Sequence, residues 1–223
     1  MTQPLLETDV RGKKVLSVFD FDGTLTRYDS FVSFLKFAFG TRAFSRRMLM
    51  LTLPGIRFLA RRMNRDQLKA HLISTFLTGV EAAWVRQQAE MFCTEFWIRL
   101  MRPSGLPSLA AEREAGAMVT LCSASPVLVL QPFADRLGVK LIGTELEVVD
   151  GVLTGRIAGN NCRCENKVFR LEAVYGPLGQ YHLKAWGDTR GDHELLAAAQ
   201  EAHWRQFHPA WRRGRQYRAQ VGN

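Results

Sequence analysis

The chain has 223 residues, 47% of them apolar and 23% charged, which excludes wholesale disorder, a small disulfide-stapled scaffold and a polytopic membrane protein. Thirty lysines and arginines against twenty-one acids give a formal charge of +9, which favours anionic partners: phosphate esters, nucleic acid or acidic lipid. The excess is local, because residues 31–70 hold nine basic side chains and one acid, Asp66, and residues 205–223 hold five basic side chains and no acid. Cys93, Cys122, Cys162 and Cys164 show no zinc-like pairing of ligands. With a polar N-terminal stretch that has no export-signal pattern, they fit ordinary thiols in a reducing cytoplasm.

In chain order, Val15 to Phe21 is a short β-rich run that ends in acids and Gly23, the pattern of a buried parallel strand whose carboxyl end delivers side chains to a site. Residues from about Arg27 to Pro107 then show helical periodicity and little sign of a strand. Val80 to Leu100 is the clearest case, with Trp84, Met91, Phe92 and Phe96 expected on one side. Pro103, Gly105 and Pro107 mark the exit from this all-helical insertion. Strand patterns return at Ala117 to Cys122, Val139 to Ile142, Tyr181 to Trp186 and Ala202 to Phe207, alternating with helical patterns at Pro126 to Arg136, Glu165 to Tyr175 and Asp192 to Ala199. Glu145 to Ile157 alternates around Asp150-Gly151, as a β-hairpin with a type I′ turn does. Strands alternating with helices imply an α/β fold with a parallel sheet covered on both faces, which binds ligands at the carboxyl ends of its strands.

The chemistry concentrates in Asp20-Phe21-Asp22-Gly23-Thr24. Two carboxylates on alternate residues leaving a buried strand suggest divided labour, one ionised as nucleophile or metal ligand and one able to hold a proton. A bare Asp-x-Asp is also what a solvated strand-end turn looks like. The sequence DFDGTLT resembles the first motif of the haloacid dehalogenase superfamily, and three more motifs follow in that family's order. Ser123 closes AMVTLCS, Lys167 opens the helix ENKVFRLEAV, and GDTRGD carries Asp188 and Asp192.

The resemblance implies a Rossmann-like core, residues 1–26 and 108–210, with an inserted helical cap of the C1 type, residues 27–107, and a basic tail, residues 211–223. It implies that Asp20 attacks phosphorus to form an aspartyl-phosphate and that Asp22 serves as general acid and base. Lys167 would neutralise nucleophile and phosphoryl oxygens, and Ser123 would donate to the transferring group, with Ser125 an alternative donor. Mg²⁺ would be held by Asp20, the backbone carbonyl of Asp22 and Asp188, with Asp192 orienting Lys167 or metal-bound water. Thr24, Asp29 and Ala124 are candidates for substrate contacts. Asp22 argues for phosphoryl transfer to water over dehalogenation, which needs neither the second acid nor a metal. The histidines are assigned no role, and Arg190 is expected in solvent.

The insertion resembles the cap of the phosphoserine phosphatase-like branch, subfamily IB. Phosphoserine itself fits poorly, since Asp29 stands where those enzymes carry Glu, Gly191 replaces Asn, and Ala124-Ser125-Pro126 replaces Gly-Gly. Residues 31–62 hold six of the fourteen phenylalanines interleaved with seven basic residues. That arrangement resembles the phosphatidylglycerophosphatase C group, which acts on a lipid phosphate monoester. It would place aromatics at the acyl boundary and arginines on anionic headgroups. The plain alternative is that the apolar residues form the cap's own core. Nucleic acid is not expected, because Trp and Tyr are sparse there and no binding module is recognisable. A non-catalytic protein that docks on membranes through the basic cap is the reading from another class, and the acids and Lys167 speak against it.

Overall fold

Five buried residues in a row, Val15–Phe19, form strand β1 at the centre of a parallel sheet, where both faces of a strand are covered and no polar alternation is needed. The computed structural model describes Thr8 and residues 12–209. The basic tail and most of the polar N-terminal stretch lie outside the described residues. β1 pairs with β2 (Met118–Pro126) on one side and β6 (His182–Gly187) on the other. β3 (Lys140–Thr144) and β7 (Glu201–Trp204) complete the order β3-β2-β1-β6-β7. All four pairings are parallel. The chain winds from β1 to β3 in one direction and returns to β6 on the other side of β1, so the switch point falls between β1 and β6, where open α/β sheets bind ligands.

Successive residues of β1 feed opposite faces. Leu16 and Val18 pack with Leu171 of α7 (Glu165–Tyr175) and Leu195 and Leu196 of α8 (His193–Ala198). Val15 and Phe19 pack with Leu109 of α5 (Leu106–Glu114) and Val129 and Phe133 of α6 (Val127–Leu137). Helix α5 has no counterpart in the sequence expectation, which marked only Pro103, Gly105 and Pro107 as the exit from the insertion. Pro107 stands in its first turn, where a missing N–H costs no helical hydrogen bond.

Helices α1 (Ser30–Met50), α2 (Thr52–Leu59), α3 (Arg65–Leu77) and α4 (Ala82–Leu100) lie between β1 and β2. The chain enters and leaves them through a paired neck: Thr26 bridges Met101, Arg27 N donates to Leu100 O, and Arg102 N donates to Leu25 O. Most phenylalanines of α1 turn inward. Phe34 and Phe37 pack on Phe92, and Phe39 and Phe44 on Phe76. Of the two arrangements the sequence left open, these four rings take the second, packing as the insertion's own core. Met91 also departs from expectation. It is 44% exposed because one position from Phe92 turns it about 100° round α4. The hairpin of β4 (Leu146–Val149) and β5 (Val152–Ile157) is as expected, with positive φ at both Asp150 and Gly151. Among the described residues no helix is long and apolar enough to cross a membrane.

Candidate active site

β1 stops at Phe19, two residues earlier than its sequence pattern suggests. Gly23, at φ 84°, lets the chain fold into the tight turn Phe21–Leu25 directly over the sheet's carboxyl edge. A Cβ at Gly23 would collide with the Asp188 carboxylate, so the turn and the end of β6 meet only because this residue is glycine. Asp20 keeps its backbone in register by donating its N–H to Trp186 O at 2.9 Å.

Lys167, in the first turn of α7, is 2% exposed and donates to Asp20 Oδ1 at 2.6 Å, Asp192 Oδ1 at 2.7 Å and Cys122 O at 2.6 Å. Its three N–H donors thus have three acceptors. Asp192 is saturated: its Oδ2 accepts from Asp188 N at 3.2 Å, Thr189 N at 2.9 Å and Thr189 Oγ1 at 3.0 Å. Thr24 Oγ1 lies between Asp20 Oδ2 at 3.2 Å and Asp188 Oδ1 at 3.3 Å, so it braces the two acids.

Asp22 points the other way. Its Oδ1 accepts from Ser30 N at 2.6 Å, and its Oδ2 from Ser125 Oγ at 2.5 Å, with Ser123 Oγ at 3.5 Å. Ser125 N donates to Ser123 Oγ at 3.1 Å, so both serines weighed from the sequence face one carboxylate. They sit in the irregular end of β2, where pairing with β3 shifts register between Cys122 and Pro126. Asp29 lines the same cavity as Asp22, but its carboxylate caps α1 by accepting from Val32 N at 2.8 Å. The Ala124 carbonyl is engaged by Lys69 and Thr144.

The electrostatics divide the acids. Burial, with Asp192 and Asp188 close by, pushes the Asp20 carboxyl well above the usual carboxylate range, against the pull of Lys167. Burial and Asp192 raise Asp188 to about 7. Burial also works on Asp192, but the Lys167 charge and its hydrogen bonds outweigh it and hold the group below 3.8. The Lys167 ammonium suffers the same desolvation, yet Asp192 and Asp20 hold it well above the usual lysine range.

The haloacid dehalogenase-like hydrolase family model matches residues 17–197, which takes in the whole constellation from β1 to α8. The chain belongs to this family. Protein CicA of Caulobacter vibrioides is 43% identical over 195 residues, 86% of each chain. Among solved structures, a protein of unknown function from Bordetella pertussis Tohama I superposes with a TM-score of 0.72 at 26% identity, covering 83% of this chain and 87% of that one. A phosphoserine phosphatase, solved as a phospho-aspartyl intermediate analogue, superposes at 0.59 with 20% identity over 84% of each chain, a likeness of fold.

This hydrolase presents a donor set that fits a hard divalent cation. Carboxylate oxygens of Asp20, Asp188 and Asp192 lie within 4.8 Å of one another, all three buried, and Lys167 pairs with Asp20 and Asp192. Oxygen-only donors crowded together in this way suit Mg²⁺. Asp192 Oδ2 already accepts from three donors, whereas no oxygen of Asp20 or Asp188 accepts from more than two, so Asp20 and Asp188 are the side chains best placed to hold it.

Two contributors went unseen in the sequence. His208, assigned no role, brings Nε2 to 3.4 Å from Asp188 Oδ2. Lys69 of α3 reaches the end of β2. Neither carries a spacing signal, because both arrive through tertiary packing. Arg190 is exposed, as expected.

Proposed function

We propose that this hydrolase is a Mg²⁺-dependent phosphomonoesterase that works through an aspartyl-phosphate on Asp20. The observation that carries the reading is the position of Asp20: at the carboxyl end of the central strand, 2.6 Å from Lys167, in a cluster with Asp188 and Asp192. Asp20 attacks phosphorus in line, the P–O bond to the alcohol breaks, and Asp22 delivers the proton the alkoxide needs. Water then attacks the aspartyl-phosphate as Asp22 takes its proton, releasing phosphate and Asp20. Lys167 offsets charge on the nucleophile and phosphoryl oxygens, and Asp192 holds Lys167 in place. Ser123 donates to a phosphoryl oxygen, a contribution whose loss costs on the order of 10²-fold to 10³-fold in rate. Bound to Asp20, Asp188 and the Asp22 carbonyl, Mg²⁺ would supply charge neutralisation between carboxylate and phosphate dianion.

Helices α1 to α4 act as the cap in this reading, hinged at the neck where Thr26 bridges Met101. They close over a cavity of about 710 Å³ that has Asp20, Asp22 and Lys167 at one end and Phe31, Met48, Leu51, Phe58 and Leu72 along the walls. Apolar walls suit a phosphate monoester with an apolar body, a phosphatidylglycerophosphate-like lipid, better than phosphoserine. The Asp29 carboxylate, committed to capping α1, is poorly placed for a substrate amino group.

The outer surface supports the same substrate. Helix α2 has no buried residue and leaves Leu53, Ile56 and Leu59 55%, 62% and 81% exposed, beside Leu49 and Met50 of α1 and among Arg57, Arg61 and Arg62. This is the make-up of an interfacial helix on an anionic leaflet, consistent with a cytoplasmic enzyme peripheral to the inner face of a membrane.

Turnover of p-nitrophenyl phosphate with and without Mg²⁺ tests the activity, with metal-dependent release of nitrophenol expected. Absence of turnover in both conditions would contradict it. A panel of phosphatidylglycerophosphate, phosphoserine and sugar phosphates then ranks the substrates, with the lipid expected to show the highest kcat/KM.

A further inference from the structure

Lys69 belongs to α3, inside the helical insertion, yet its ammonium group ends in the core. Its Nζ donates to the Ala124 carbonyl, to Asn161 Oδ1 at 2.8 Å and to Thr144 Oγ1 at 3.4 Å. These acceptors come from the end of β2, the loop before α7 and the end of β3. Three residues earlier on α3, Asp66 Oδ1 accepts from Asn161 Nδ2 at 2.5 Å, so α3 grips both ends of one core amide.

The Ala124 contact bears on the site because a trans peptide unit is rigid. The carbonyl of Ala124 and the N–H of Ser125 are opposite ends of one plane, and that N–H donates to Ser123 Oγ. Turning the carbonyl therefore turns the donor that places the Ser123 hydroxyl. Thr144 Oγ1 also reaches the Ala124 carbonyl, at 2.5 Å, but it has one proton and a second acceptor in reach, Asn161 Oδ1 at 2.8 Å. Lys69 donates to both of these acceptors, so the Ala124 carbonyl keeps a donor whichever way the threonine proton turns.

We propose that Lys69 is a positioning residue that couples the seating of the helical insertion to the alignment of Ser123. When α3 docks, its ammonium group fixes the Ala124–Ser125 peptide and, through it, the hydroxyl that meets the phosphoryl group. When α3 lifts away, that restraint goes with it. The inference rests on the phosphatase reading of the site. Burial lowers Lys69 to about 8, opposed by Asp22 from the turn, Asp29 from the start of α1, Cys162 from the loop before α7 and Asp66 from its own helix. Its charge is thus within reach of ordinary assay pH.

The test is steady-state kinetics on p-nitrophenyl phosphate with Mg²⁺ for the wild type, Lys69→Met and Lys69→Arg, alongside thermal melts. Lys69→Met is expected to lower kcat on the order of 10-fold to 10²-fold per folded molecule with little change in KM, as displacement of an aligned group does. Lys69→Arg should recover much of kcat. In the wild type kcat should fall as pH rises through about 8, and in Lys69→Arg that fall should move to higher pH because guanidinium keeps its proton. Wild-type kcat in Lys69→Met, a change in KM alone, or an alkaline fall that does not move in Lys69→Arg would overturn the proposal. If Lys69→Met does not fold, the pH profile of Lys69→Arg decides. A wild type without Mg²⁺-dependent turnover would remove the phosphatase reading and this inference together, whereas the other outcomes remove Lys69 alone.

Discussion

The carboxyl edge of the sheet and the outer surface of α1 and α2 both gather cations, and they use them in opposite ways. At the sheet edge Lys167, 2% exposed, faces Asp20 and Asp192 at 2.6 and 2.7 Å, and desolvation makes each contact consequential. On α2 and in the turn after it, Arg57, Arg61 and Arg62 flank exposed leucines, in water that screens their charge. Even within the insertion the arginines divide, for Arg47 turns inward to donate to Phe76 O at 2.8 Å and lies over the Phe39 ring at 4.3 Å. Burial therefore decides what a basic residue does here, and net charge alone does not.

The comparison breaks first at Asp20. Asp20→Asn should abolish turnover of p-nitrophenyl phosphate while circular dichroism stays that of the wild type, and residual activity at the wild-type level would remove Asp20 as nucleophile. Lys167→Met comes next: it leaves buried Asp20 and Asp192 without their cation and should cost about 3–5 kcal/mol of stability, measured by urea unfolding without metal. A loss below about 1 kcal/mol would place Lys167 among the screened cations.

The metal sharpens the contrast further. Asp188, raised by burial to about 7, keeps a proton that the unfolded chain releases near 3.8, so the metal-free fold loses stability as pH rises through that window. A cation displaces this proton. The rise in Tm with Mg²⁺ should therefore be small at about pH 5 and larger at about pH 8, and a rise independent of pH would contradict it. The smallest effect on the fold belongs to α2. Leu53→Ser with Leu59→Ser should change stability by about 0.5 kcal/mol or less and leave p-nitrophenyl phosphate turnover intact. The pair should nevertheless weaken co-sedimentation with anionic vesicles, and undiminished sedimentation would detach α2 from membrane binding.

The sheet edge was largely legible in the sequence because its residues sit at the ends of strands, where local pattern and chemistry coincide: Asp20 after β1, Ser123 in β2, Asp188 after β6. Lys167 was legible only through motif order. The early stop of β1 was not, since it depends on Gly23 fitting against Asp188, a contact between residues far apart in the chain. The insertion was legible as helical, with its orientation left open. Phenylalanines and arginines interleave along α1 in a way that fits either a lipid face or an aromatic core, and only tertiary packing on Phe76 and Phe92 selects the core. Asp29 was marked by its place nine residues after Asp20; it and Ala124 line the cavity, while the polar atoms of Thr24, Asp29 and Ala124 also engage Asp20 and Asp188, the cap of α1, and Lys69 and Thr144. Lys69 itself could be found only once its side chain was seen to reach from α3 to the end of β2.

The claim on which the rest depends is that Asp20 carries the phosphoryl group between substrate and water. Acid-quenching the enzyme during turnover of a phosphate monoester with Mg²⁺, followed by peptide mass spectrometry, tests it directly. The account predicts one acid-stable, base-labile phosphoryl group on the peptide containing Asp20, absent in Asp20→Asn. A phosphoryl group on Ser123 or a histidine, or rapid turnover with every peptide unmodified, would contradict it.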